Sequence, residues 1–64
     1  MTIQTLARKQ LDQKLVFHFS RKNTSDCYWF DLGVLRSYSD TDLSGRRASL
    51  DIDDLAASDW RIIR

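Results

Sequence analysis

The sequence predicts an α+β fold, with an N-terminal helix packed on a small antiparallel sheet and a short helical turn before the C-terminal strand. Three observations predict it. Ile3, Leu6, Ala7 and Leu11 recur at helical spacing near the start. Two apolar and aromatic runs follow, one around Phe17 and one around Trp29, with strand-like composition. The last fourteen residues then read as an acidic helical turn, a break, and a strand opening with Trp60. A helix with one apolar stripe must bury it, and one face of an antiparallel sheet is the economical place.

The first element spans residues 3–13. Thr2 or Thr5 supplies a hydroxyl for the free amide hydrogens of its first turn. Lys14 to Ser20 reads as a strand in which Leu15, Phe17 and Phe19 face the core and His18 faces away. The cluster Lys22–Asp26 turns the chain into a second strand, Cys27 to Leu32. Its consecutive Tyr28, Trp29 and Phe30 put large rings on both faces of the sheet. The helix covers one face, so the other is expected to meet a ligand or a partner subunit. Gly33 invites a bend. Val34 to Tyr38 reads as a third strand or an irregular edge. Residues 37–42 and Ser44–Gly45 read as turns, with a further strand from Arg46 to Leu50. Asp51 caps a brief helix over 52–57, where Asp53 and Asp54 suit the positive end of the helix dipole. Leu55 is its expected core anchor, and Trp60 to Ile63 is the closing strand.

Sixty-four residues form a single small domain, 1–64. A chain of this size buries only about 60% of its unfolded surface, so it usually needs a staple. Cys27 is the only cysteine, which rules out an internal disulfide. His18 is the only histidine, and no ligand cluster for zinc accompanies it. Oligomerisation is the staple left, so a homo-oligomer is expected. With 10 basic and 9 acidic residues, the chain lacks the field of a nucleic-acid binder. Residues 1–36 carry six basic and three acidic side chains, and residues 37–64 carry four and six. No apolar run approaches the roughly 20 residues that span a bilayer. A lone thiol and no export signal at the start point to the cytoplasm.

Enzymatic chemistry is not expected. His18 has no identifiable partner for acid–base work, and Cys27 has no basic neighbour in sequence to activate it. The acidic pairs do not follow a calcium-loop spacing. No catalytic residue, metal or cofactor is predicted.

One segment carries a family likeness. The run from Asp53 to Ile63, with Asp54-Leu55 and Ala57-Ser58-Asp59-Trp60 at its centre, resembles the C-terminal signature of the Thoeris anti-defence sponge proteins of the second type and their short phage-encoded relatives. The opening helix and the basic step into Leu15 and Val16 fit the same pattern loosely. Gln13 stands where the family commonly has glycine, and His18 and Arg21 stand near its arginine–tryptophan pair. The resemblance implies a non-enzymatic protein, phage- or prophage-encoded, that sequesters a cyclic nucleotide-derived immune signal in pockets between subunits. An inhibitor that binds a host defence or regulatory protein is the alternative.

The residues lend themselves to that role as follows. Trp29 and Tyr38, with Tyr28 and Trp60, offer rings on which a base could stack. Arg36, Arg46 and Arg47 offer two-pronged hydrogen bonds to phosphate. Asp59 completes the candidate ligand-binding set. Each has a plainer reading: Trp60 as core, Arg46 and Arg47 as a solvated turn, Asp59 as a turn-stabilising side chain, and Cys27 as a buried thiol.

Overall fold

A computed structural model describes residues 1–22 and 24–64; Asn23, within the turn cluster 22–26, lies outside the described residues. The elements run α1 (Ile3–Gln13), β1 (Phe19–Arg21), β2 (Cys27–Asp31), β3 (Val34–Ser39), β4 (Asp42–Arg47), α2 (Ile52–Ala56) and β5 (Trp60–Ile62). The strands form one antiparallel sheet in the order β4-β3-β2-β1-β5. The α+β class, the N-terminal helix and the short helix before the last strand are as expected.

Helix α1 starts where Thr2 Oγ1 accepts the amide hydrogen of Thr5 at 3.2 Å, and it ends at Lys14, whose backbone is left-handed (φ 55°). Its Ile3 and Leu6 lock into a core completed by Phe19 and Trp60. Tyr28, Phe30, Leu35, Leu50, Ala57 and Ile62 close around these four. Gln10 Nε2 donates to the Phe30 carbonyl at 3.0 Å, tying the helix to β2.

The first strand begins later than the alternation suggests. Lys14 turns the chain out of the helix, and Leu15 and Val16 cross from the helix layer to the sheet. Both are exposed, so only Phe19 of the expected inward trio is fully buried. Phe17 is half-buried, with Lys9 Nζ 5.8 Å from its ring centre. Strand β2 ends at Asp31, because Leu32 (φ 50°) and Gly33 (φ 82°) form the two-residue turn into β3. Strand β3 runs on to Ser39, and the chain reverses at Asp40 and Thr41. Ser44 and Gly45, expected in a turn, therefore lie inside β4. Pairing of Ala48 N with the Leu35 carbonyl at 2.8 Å extends the ladder beyond it.

The C-terminal run is a structural clamp. Asp51 caps α2 by accepting from Asp54 N at 3.1 Å. Arg21, on β1, donates through Nη1 to Asp54 at 2.8 Å and through Nε to Asp59 at 2.9 Å. Trp60 Nε1 donates to the Asp54 carbonyl at 3.0 Å, and its ring sits edge-on to Phe19 and Tyr28. Trp60 is 2% exposed and is a core residue. Leu55 is not an anchor: it is 47% exposed, and α2 buries none of its own residues. A five-residue helix has no room for an apolar stripe, so its carboxylates and the Trp60 indole hold it instead.

Candidate ligand-binding face

Residues directly opposite each other in antiparallel strands share a face. The register Trp29↔Arg36↔Arg47 and Cys27↔Tyr38 therefore gathers Trp29, Arg36, Tyr38 and Arg47 on the side away from α1. His18, just before β1, stands there as well. Its ring stacks against Trp29 (centroids 5.6 Å apart, planes 14° apart) and meets Tyr38 edge-on at 5.4 Å. Trp29 and Tyr38 are 5.6 Å apart, so the three rings form one cluster.

Two backbone features aim this cluster. Gly45 in β4 has φ 74°, and a Cβ there would fall 2.7 Å from Trp29 Cη2. The indole thus lies against bare backbone, where no side chain fits. At the other edge His18 faces two residues of the closing strand. His18 N donates to the Arg64 carbonyl at 2.7 Å, while Ile63 N donates to the His18 carbonyl at 2.8 Å. This two-against-one arrangement is a bulge, which re-aims a side chain. The Arg64 guanidinium carbon lies 5.9 Å from the centre of the Tyr38 ring.

His18, Trp29, Tyr38, Leu43 and Arg64 line an open hollow of about 370 Å³. That size lies at the lower end of small-molecule sites. Arg36, Arg47 and Arg61 (opposite Ser20) share the face, with Asp31 the acid on it, 3.8 Å from Arg36. Among the described residues, Arg47, Arg61 and Arg64 form no ion pair. The face therefore carries more basic than acidic side chains.

Two candidates lie elsewhere. Arg46 follows the alternation to the opposite face and pairs with Asp42 at 2.7 Å. Asp59 is held by Arg21 at the α2 end. Arg21 hydrogen bonds keep both the Asp54 and Asp59 carboxyls below the usual range, which suits a clamp. Tyr28 and Trp60 also face the helix and belong to the core. Cys27 is half-buried beneath Tyr38.

His18, expected to face away from the core without a partner and absent from the candidate set, belongs to this site. Its Nδ1 shares a 2.8 Å hydrogen bond with the Tyr38 hydroxyl. Burial, and then Arg64, lower its pKa from the ordinary value, favouring the neutral ring. The available signal was its placement on the opposite side of the strand from Phe17 and Phe19, the side that also receives Trp29. The arrangement offers aromatic faces, guanidinium donors and one imidazole around a hollow, a donor set for a planar ring that carries an anionic group.

A second feature lies at the far end of α1. Leu11, Leu15, Val16 and Leu32 are exposed around a shallow hollow of about 450 Å³ that Trp29 also borders. No helix is long and apolar enough to cross a membrane among the described residues. No family model, curated protein or solved structure matches this chain.

Proposed function

We propose that this protein captures a cyclic nucleotide-derived signal on the uncovered face of its sheet and holds it without cleaving it. The observation that carries this reading is the cluster His18, Trp29 and Tyr38 around a hollow that Arg64 also lines, with Arg36 and Arg47 on the same face. A base stacked on such rings typically gains about 1–3 kcal/mol. Guanidinium groups hold phosphate oxygens in pairs, and among the described residues Arg47 and Arg64 form no ion pair. The likeness of the C-terminal run to the sponge proteins narrows the ligand class and supports a phage- or prophage-encoded anti-defence role in the host cytoplasm. That run itself builds the clamp, so it supports the reading through the fold.

The protein acts as a homo-oligomer in this proposal. Among the described residues, four buried apolar side chains make a small core, and the exposed Leu11, Leu15, Val16 and Leu32 offer a second copy apolar contact next to Trp29. Native mass spectrometry with cyclic ADP-ribose isomers and cyclic dinucleotides tests both points together. An oligomer carrying intact nucleotide is the expected species. A protein that binds none of these ligands sinks the sponge reading. An inhibitor of a host defence protein is then the reading to pursue.

A further inference from the structure

We propose that His18 is a ligand-binding residue of this face, donating from Nε2 to an anionic oxygen of the bound molecule, with Tyr38 as the residue that positions it. This inference rests on capture of an anion at the same hollow.

The geometry leaves the two ring nitrogens with different tasks. Nδ1 is engaged by the Tyr38 hydroxyl at 2.8 Å. Among the described residues, Nε2 has no hydrogen-bond partner, and the ring lines the hollow. Arg64 lies beside Tyr38 and can only donate. A cation beside the ring favours the orientation in which the hydroxyl turns its lone pairs toward the charge and gives its own proton to Nδ1. The imidazole proton then resides on Nε2, on a ring that lines the hollow. The Trp29 ring, nearly parallel to His18, fixes the imidazole plane from one side.

The same hydroxyl serves the charged ring equally well. A hydroxyl both donates and accepts, so when His18 takes a second proton on Nδ1, Tyr38 turns from donor to acceptor without moving its ring. The arginines facing the imidazole are Arg64 beyond β5 and, further along the face, Arg36 and Arg47; the other polar groups there are the Tyr38 hydroxyl from β3 and the Cys27 thiol from β2. Asp31, at the far end of β2, pairs with Arg36 and not with His18. In the free protein the surroundings thus disfavour a cation on His18. A bound phosphodiester reverses this local balance by adding a negative charge beside Nε2. Capture then takes up a proton and tightens as the pH falls through the histidine range.

His18 is the only histidine, so its ring signals report ionisation without ambiguity. The experiment is an NMR pH titration of His18, free and with saturating 3′,5′-cyclic AMP, a phosphodiester whose charge is constant across this range. Affinities are measured in parallel by calorimetry at acid and alkaline pH. The expected result is a rise of about one unit in the His18 pKa and about tenfold tighter binding at the acid end. His18→Gln should bind weakly and without pH dependence. Tyr38→Phe, which keeps the ring, should weaken binding at both pH values while the pH dependence persists, because the hydroxyl serves the neutral and the charged imidazole alike. Binding of cyclic AMP that leaves the His18 pKa in place overturns this inference and spares nucleotide capture. If cyclic AMP fails to bind, sulfate is compared with chloride at matched ionic strength. A sulfate-induced rise supports the anion contact while counting against the nucleotide. No rise with either anion overturns the role of His18.

Discussion

Replacing Trp60 by Phe tests the C-terminal clamp in its most compact form. The substitution keeps an aromatic ring against Phe19 and Tyr28 and removes the indole N–H that bonds the Asp54 carbonyl at 3.0 Å. Loss of that hydrogen bond costs about 1 kcal/mol. The smaller ring also leaves a void of about 40 Å³, worth about 1 kcal/mol at ~24 cal/mol per Å³. The expected loss is therefore about 2 kcal/mol. At ~0.05–0.15 kcal/mol per residue, a chain of this length holds only about 3–10 kcal/mol in all, so the change is large. Urea unfolding followed by far-UV circular dichroism measures it, with an unchanged slope expected. Trp29 becomes the only tryptophan and reports on the opposite face, where its fluorescence should not move. A midpoint equal to wild type refutes the clamp as a stabilising device. A shifted Trp29 spectrum refutes the separation of clamp and ligand face.

Four further outcomes follow from the same geometry. Gly45→Ala places a methyl group against Trp29 at a positive φ, so it should destabilise by more than about 1 kcal/mol and shift Trp29 emission; an unaffected spectrum removes Gly45 as the bed of the indole. Arg47→Ala should abolish nucleotide capture with folding intact, while Arg46→Ala, on the other face, should retain it; equal losses in a binding titration contradict the assignment of faces. The Asp54 and Asp59 carboxyls are depressed by Arg21, so their stabilisation is present above the unfolded carboxyl pKa of about 3.9 and is lost as the pH falls through their folded values. Urea midpoints at neutral and acid pH should therefore diverge less in Arg21→Gln than in wild type, and equal divergence counts against the clamp. Leu15→Asp should shift the protein toward monomer in sedimentation, since that side chain is exposed beside Leu11 and Leu32; an unchanged mass moves the interface elsewhere.

The helix, the final strand and the cap at Asp51 were legible because each rests on local chemistry: helical spacing, a hydroxyl or carboxylate at an N-terminus, and a break before Trp60. The boundaries of β1 and β4 were not. Leu15 and Val16 have strand composition, yet the chain must use them to leave the helix layer, and that demand is tertiary. Ser44 and Gly45 look like a turn, but the glycine serves a ring two strands away. For the site, strand alternation separates Arg46 from Arg47, which the pair alone does not. Asp59 was drawn into the candidate set because a carboxylate beside a tryptophan carries no mark of its partner, and Arg21 is distant in sequence. His18 acquires its meaning only from Tyr38, twenty residues away.

The sheet assigns its two faces separate duties. Phe19, Trp60 and the helix hold the fold from one side, while His18, Arg36, Tyr38 and Arg47 stand on the other with little core to support. Evolvability follows from that division. Positions 18, 36, 38, 43 and 47 can be varied together in a library with modest thermodynamic penalty, with Gly45 and Trp29 kept as the fixed frame. The scaffold thus keeps its folding code on one face and leaves the composition of the other free to drift.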